Sequence, residues 1–328
     1  ADGSRPLHKV SRRRMLARGF SCVRVASARV AQSTRAASTA GAPGSLVELI
    51  GPDAQGVATI QLNAPATLNA LTIPMGEEFE RVVARVAEES SSVGAVVLRG
   101  AGRAFSAGGD LEFLRRRNMD SPSRNASIMR RFYERFLSVR RLPVPVVAAI
   151  NGPAIGAGLC LALACDVRVA AASAKMGVTF VGLGLHPGMG ATHTLPRIVG
   201  AQTAARLLLT GDVVSGEEAA ALGMVAEAVS GDDDGEAAVA KATELAARMA
   251  SKAPAAVRAT VRTLRLGTED GLERALWREA DAQAQSYATA DLVEGVSAIE
   301  QKRRPNFTQR EGYAEAGVWH GPLSGRRL

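Results

Sequence analysis

Asn151-Gly152-Pro153-Ala154-Ile155-Gly156-Ala157-Gly158-Leu159-Cys160-Leu161-Ala162-Leu163-Ala164-Cys165-Asp166 follows directly on the apolar run Val144–Ile150. The run reads as a buried strand entered through Pro143 and Pro145, the glycines as a turn, and Gly158–Cys165 as an apolar helix. An upstream stretch has the same design. There Ala95–Arg99, another strand-like run, leads into Phe105-Ser106-Ala107-Gly108-Gly109-Asp110-Leu111. Gly and Ala leave backbone N–H groups uncovered, so a ligand oxygen can approach them. Two such groups aimed at one point form an oxyanion hole, a device worth several kcal/mol to a developing enolate.

Three further motifs occur in order around these two. Leu62-Asn63-Ala64-Pro65 with Asn69-Ala70-Leu71 comes before them. Gly184-Leu185-His186-Pro187-Gly188-Met189-Gly190-Ala191-Thr192 comes after, and Asp291-Leu292-Val293-Glu294-Gly295 with Lys302-Arg303-Arg304-Pro305-Asn306-Phe307 closes the set. From about Val47 to Phe307 the chain thus resembles the crotonase (enoyl-CoA hydratase/isomerase) superfamily. The resemblance implies an α/β fold, a crotonase-like ββα spiral core with a C-terminal helical trimerisation region. It also implies an acyl-CoA substrate or ligand, no cofactor beyond that coenzyme A thioester, and a homotrimer or dimer of trimers. Mapped onto the family, the oxyanion donors are the N–H groups of Ala107 and Ala157, flanked by Gly108 and Gly156.

The same mapping exposes a departure. The family's hydratases carry one glutamate at the place held here by Cys160 and a second at the place held by Phe180. Hydration of an enoyl thioester needs carboxylates to position and deprotonate water and to protonate carbon. A phenyl ring does neither, and a thiol does so only with a depressed pKa. Ordinary enoyl-CoA hydration is therefore not expected, and Cys160 reads best as a small buried hydrophobe. His186 takes the acid/base role by position, in the loop that runs beside the second glutamate's place. Its alternative reading is a loop histidine bonded to backbone or packed at a subunit contact. Gly188 belongs to the same loop. Lys302 matches the family's basic C-terminal motif, which reaches CoA phosphates, or else is a charge on a solvated helix end. The positions around Asn63 that often carry a cation hold Ala64, Ala66, Thr67 and Leu68. Asp110 reads as the cap of the helix after the first turn.

The 328 residues carry a formal charge of +8, which invites a nucleic-acid reading. Residues 1–45 hold nine of the 40 Lys and Arg and one of the 32 acids, leaving 31 of each in the remainder. The basicity thus belongs to the N-terminal segment, and the body has no basic patch interleaved with aromatics, so no nucleic-acid partner is expected. That segment is rich in Arg, Ser and Ala, with Arg18, Arg24 and Arg29 spaced by apolar and small residues after Met15. This is the composition of a mitochondrial transit peptide, or of a disordered basic tail, and it points to the mitochondrial matrix. Apolar stretches are too short or interrupted to span a bilayer. Three cysteines build no disulfide framework, and no Cys/His cluster has zinc spacing, so no metal is expected.

The organisation reads as a basic extension over 1–45, a spiral core over 46–250, a helical region over 251–307 and a tail over 308–328. Val47–Ile50 and Val57–Leu62 form a strand pair, Met75–Glu89 an amphipathic helix, Asp110–Arg117 and Ile128–Val139 two more helices, and Val167–Ala170 a returning strand. Ser215-Gly216-Glu217-Glu218 is a capping box. From Ala237 to about Ile299 the pattern is helical, with breaks near Pro254 and Gly267. Three functions fit: an acyl-CoA enzyme that uses an oxyanion hole for a thioester enolate; a catalytically inactive structural subunit bound to other subunits of a larger mitochondrial complex; and, last in order, an acyl-CoA-binding sensor without turnover.

Overall fold

The computed structural model describes residues 44–231, 235–269 and 271–307. The presequence-like extension up to residue 43 and the tail over 308–328 lie outside the described residues, as does the centre of the acidic stretch after Gly231. Within them, nine strands form two sheets. β1 (Val47–Ile50) pairs antiparallel with β2 (Val57–Leu62), and then β3 (Ala95–Gly100), β4 (Val146–Ile150), β6 (Val167–Ala171) and β9 (Glu227–Val229) add in parallel, in that order. Ala95–Leu98 of β3 and the whole of β4 read as unbroken apolar runs because both faces are covered, the usual state of a parallel sheet.

The second sheet is built from short segments that follow the long strands. β5 (Ala154–Ile155) pairs with β7 (Met176–Gly177), which pairs with β8 (Val213–Val214). Single parallel bridges, Leu71 to Gly109 and Ser106 to Ala154, extend it across both glycine turns. Each passage of the chain thus gives one strand to the large sheet and one short segment to the small one, with a helix between. This is the ββα spiral that the sequence motifs imply.

α1 (Ile73–Glu88) starts where Thr72 accepts a hydrogen bond from the Met75 N–H at 3.2 Å, and it buries Phe79, Val83 and Val86. α2 (Leu111–Arg117) is capped by Asp110, and α3 (Pro122–Leu137) by Ser121. α3 therefore begins six residues before its apolar periodicity suggests. The Ser-Pro pair is the start signal, with proline at the first helical position. α4 (Ala157–Leu163) is buried along its whole length. α5 (Ala191–Val199), α6 (Ala201–Thr210) and α7 (Gly216–Ala221, with the expected capping box) lead into β9.

Four helices close the described chain: α8 (Glu236–Ala250), α9 (Pro254–Glu269), α10 (Leu272–Tyr287) and α11 (Ala290–Glu300). The break expected at Gly267 falls instead at Gly271. Gly267 sits on an open helix face with nothing near it, so it costs only propensity. Gly271 has φ of +81°, a left-handed turn that favours glycine. α8 packs on the large sheet, and α10 packs on α3 and α5, which brings the C-terminal helices to the wall of the central cavity.

Candidate active site

The two glycine turns lie side by side. The Ile155 N–H donates to the Ser106 carbonyl at 3.0 Å, and the Ser106 N–H donates to Pro153 at 3.0 Å. At Gly108, φ is +92°, and a Cβ would stand 2.5 Å from the Ile155 carbonyl oxygen, so no larger residue fits. A Cβ there would also lie 3.5 Å from the Ala157 nitrogen, which shows how closely the first turn approaches the start of α4. Gly156 caps α4 with φ of +53° and offers no side chain to its N–H groups. Among the described residues the Ala157 N–H has no acceptor and borders a cavity of about 450 Å³.

Ala107 differs from its expected role. It borders the same cavity, but its N–H donates to the Leu68 carbonyl at 2.8 Å. Leu68 has φ of +53°, which turns that carbonyl back toward the first glycine turn. Sequence alone does not show a left-handed leucine. The Gly109 N–H, also on the cavity wall, has no acceptor among the described residues.

The remaining wall is mostly apolar: Phe113, Leu114, Met129, Phe132, Phe180, Leu183, Leu185 and Met189. A polar group closes one side. The Tyr133 and Tyr287 hydroxyls donate to Gln283 Oε1 at 2.8 and 3.2 Å, and Gln283 Nε2 donates to the His186 carbonyl at 2.9 Å. Burial pushes both tyrosines above their ordinary pKa, so they stay protonated. Gly188 is required by this packing, since a Cβ there would stand 2.3 Å from the Tyr133 hydroxyl oxygen.

At the two positions where an acid is expected there is none. Cys160 is 2% exposed, does not line the cavity, and donates its thiol to the Gly188 carbonyl at 3.5 Å. Burial, and next the charge of Glu279, push its pKa well up, so it stays a thiol. The Phe180 side chain occupies the wall at the second position.

His186, the expected proton carrier, is not part of the cavity wall. Its Nδ1 lies 2.6 Å from its own Pro187 carbonyl, and its backbone N–H donates to Ser286 Oγ at 3.1 Å. Burial lowers its pKa and favours the neutral ring. The loop geometry that sends its carbonyl to Gln283 sends its ring elsewhere, and this matches the backbone-bonded alternative. Lys302 is exposed, with φ of +52°, three residues past the half-exposed cavity residue Ile299.

The sequence reading missed Glu279. It lies fully buried on α10 and accepts from the Gly190 N–H at 2.6 Å, the Thr192 N–H at 2.8 Å and the Thr192 hydroxyl at 2.5 Å. α5 has no side-chain cap of its own, so Glu279 serves its N-terminus from another helix. Desolvation raises its pKa against the opposing hydrogen bonds. A signal was available: Ala275, Glu279, Gln283 and Tyr287 recur every four residues, placing two polar groups on the buried stripe of α10. No cluster of potential metal ligands occurs among the described residues.

Comparison with known proteins agrees with this geometry. A family model described as enoyl-CoA hydratase/isomerase matches residues 53–310. The chain is 37% identical over 274 residues to the Homo sapiens protein "Enoyl-CoA hydratase domain-containing protein 2, mitochondrial", covering 83% of this chain and 92% of that one. It is 33% identical over 255 residues to the crotonyl-CoA hydratase of Syntrophomonas wolfei, covering 77% and 95%. Among solved structures, an enoyl-CoA hydratase/isomerase from Mycobacterium paratuberculosis superposes with a TM-score of 0.69 at 30% identity, over 77% of this chain and 98% of that one.

Proposed function

Because the chain belongs to the enoyl-CoA hydratase/isomerase family, we infer that its cavity binds an acyl-CoA thioester and polarises the thioester carbonyl without the two-glutamate hydration chemistry. The observation that carries this is the free Ala157 N–H at the start of α4, bordering the cavity beside the apposed Gly108 turn. A backbone N–H held there costs no reorganisation when charge develops on the thioester oxygen. The apolar wall suits a hydrocarbon acyl group, and its volume suits a short or medium one. Lys302, exposed and three residues after the cavity residue Ile299, is proposed as the group that meets the CoA phosphates.

The mitochondrial matrix is the proposed compartment. Its support is the Arg-rich, acid-poor N-terminal composition, together with the mitochondrial relatives from Homo sapiens, Bos taurus and Mus musculus. Self-association into a homotrimer or a dimer of trimers is proposed from exposed apolar residues on the last helices: Leu264, Leu266, Trp277 and Val293. No helix among the described residues is long and apolar enough to cross a membrane. A second reading, a non-catalytic subunit of a mitochondrial assembly, is favoured by one observation. Both family acid positions are occupied by groups that do not transfer protons here, the buried Cys160 thiol and the Phe180 ring.

Calorimetric titration with crotonyl-CoA tests the binding reading. Saturable binding at one site per chain is expected. Ala157→Val should weaken it about tenfold or more by crowding the oxygen away from its donor, one charge-assisted hydrogen bond being worth roughly 1.5–3 kcal/mol. Absence of binding at millimolar ligand would remove the acyl-CoA reading and leave the non-catalytic subunit.

A further inference from the structure

The cavity wall holds one carboxylate among its described residues, and it is not at either of the family's acid positions. Asp110 borders the cavity together with Gly109, Ala157 and Phe180. Its Oδ1 accepts from the Phe113 N–H at 2.8 Å, which caps α2 and fixes the carboxyl group. Its Oδ2 has no hydrogen-bond or ion-pair partner among the described residues. Asp110 stands two residues after Gly108, at the turn that abuts the Ala157 N–H. A carboxylate with one oxygen anchored and the other free, on the same wall as an oxyanion donor, has the arrangement of a general base for carbon acids.

The other cavity groups do not compete for this role. Tyr133 and Tyr287 are held protonated by burial and already donate to Gln283. Thr67 and Thr179 bring hydroxyls, which are too weakly basic for the task. Cys160 and the His186 ring lie off the wall.

Resting on the acyl-CoA reading above, we propose that Asp110 is the catalytic base of this cavity, removing a proton from the carbon alpha to the thioester carbonyl. The Cα–H bond breaks and an O–H bond forms on Asp110 Oδ2. The electron pair moves into an enolate whose oxygen accepts the Ala157 N–H. Return of the proton to the same carbon gives exchange, and return to the gamma carbon of a 3-enoyl chain gives the 2-enoyl isomer. Neither step needs an oxidant, a reductant or a second carboxylate. One anchored carboxylate therefore replaces the two missing glutamates for proton transfer, but not for addition of water.

Butyryl-CoA incubated with the full chain in D₂O tests this, with deuterium gain at the alpha carbon read by mass spectrometry. Wild type should exchange. Asp110→Asn keeps an acceptor for the Phe113 N–H and the cap, yet should slow exchange about 10²-fold or more, while crotonyl-CoA still binds within a few-fold of wild type. Asp110→Ser, also a capping residue, should behave in the same way. Exchange at the wild-type rate in both variants would overturn the assignment of Asp110. So would exchange-free binding by the wild type. Failure of the wild type to bind any acyl-CoA would instead overturn the reading of the cavity on which the assignment rests.

Discussion

Crotonyl-CoA mixed with the purified protein is expected to gain water at least about 10⁴-fold more slowly than with a two-glutamate relative. Each general acid–base group is worth roughly 10²–10⁴-fold, and both are absent here. Loss of the conjugated enoyl absorbance measures the rate directly. The reason is local. One position is held by a thiol that is 2% exposed and kept protonated by burial, the other by the Phe180 side chain on the cavity wall. Asp110 does not restore hydration, because it supplies one carboxylate on the wall of the first turn, and water addition needs groups that both activate water and protonate carbon. Turnover comparable to the two-glutamate relatives would show that another residue activates water.

Arg265→Ala is expected to lower the unfolding free energy by about 3–5 kcal/mol, the range for breaking a buried, hydrogen-bonded ion pair from one side. Arg265 lies on α9 with its side chain 7% exposed. It grips Asp166 with two bonds, Nε to Oδ1 at 2.8 Å and Nη2 to Oδ2 at 2.6 Å. It also donates to the carbonyls of Arg140, Leu142 and Val144 at 2.8, 2.5 and 3.2 Å. Asp166 in turn accepts from the Val146 N–H at 2.7 Å. One guanidinium thus ties α9 to the starts of β4 and β6, and the far end of β4 leads into the second glycine turn. Truncation leaves a half-buried carboxylate and three carbonyls without their donor. The double change Arg265→Leu with Asp166→Asn should recover part of the loss, because no isolated charge remains. Urea unfolding followed by circular dichroism gives the values. A loss under about 1 kcal/mol for Arg265→Ala would mean that water replaces the donor.

The spiral core was legible because its signals are local and strong. β3 and β4 are continuous apolar runs closed by glycine turns, and α1 and α7 announce themselves by amphipathic period and capping box. What failed depended on backbone direction or on distant partners. The Ala107 N–H was expected to be free. The left-handed Leu68 supplies an acceptor from 39 positions earlier, and nothing in an Ala-Pro-Ala-Thr-Leu stretch marks that conformation. His186 sits in the expected loop, yet the loop presents its carbonyl toward Gln283 while its ring bonds to Pro187. Position in sequence gave the neighbourhood and not the direction of the side chain. Glu279 was hidden because its partners, Gly190 and Thr192, lie on another helix nearly ninety residues away. The break placed at Gly267 rather than Gly271 reflects a glycine that tolerates a helix against one whose φ of +81° ends it. Asp110 caps α2, as its place directly after the first glycine turn suggests.

The proposed work of the cavity is to polarise a thioester carbonyl through the Ala157 N–H. The infrared carbonyl stretch of crotonyl-CoA labelled with ¹³C at the thioester carbon, recorded free and bound to the full chain, reads that polarisation without requiring turnover. Binding is expected to shift the stretch to lower wavenumber, and to shift it less in Ala157→Val at ligand concentrations that still fill the site. A bound carbonyl with the free frequency, or an equal shift in the Ala157→Val protein, would contradict it.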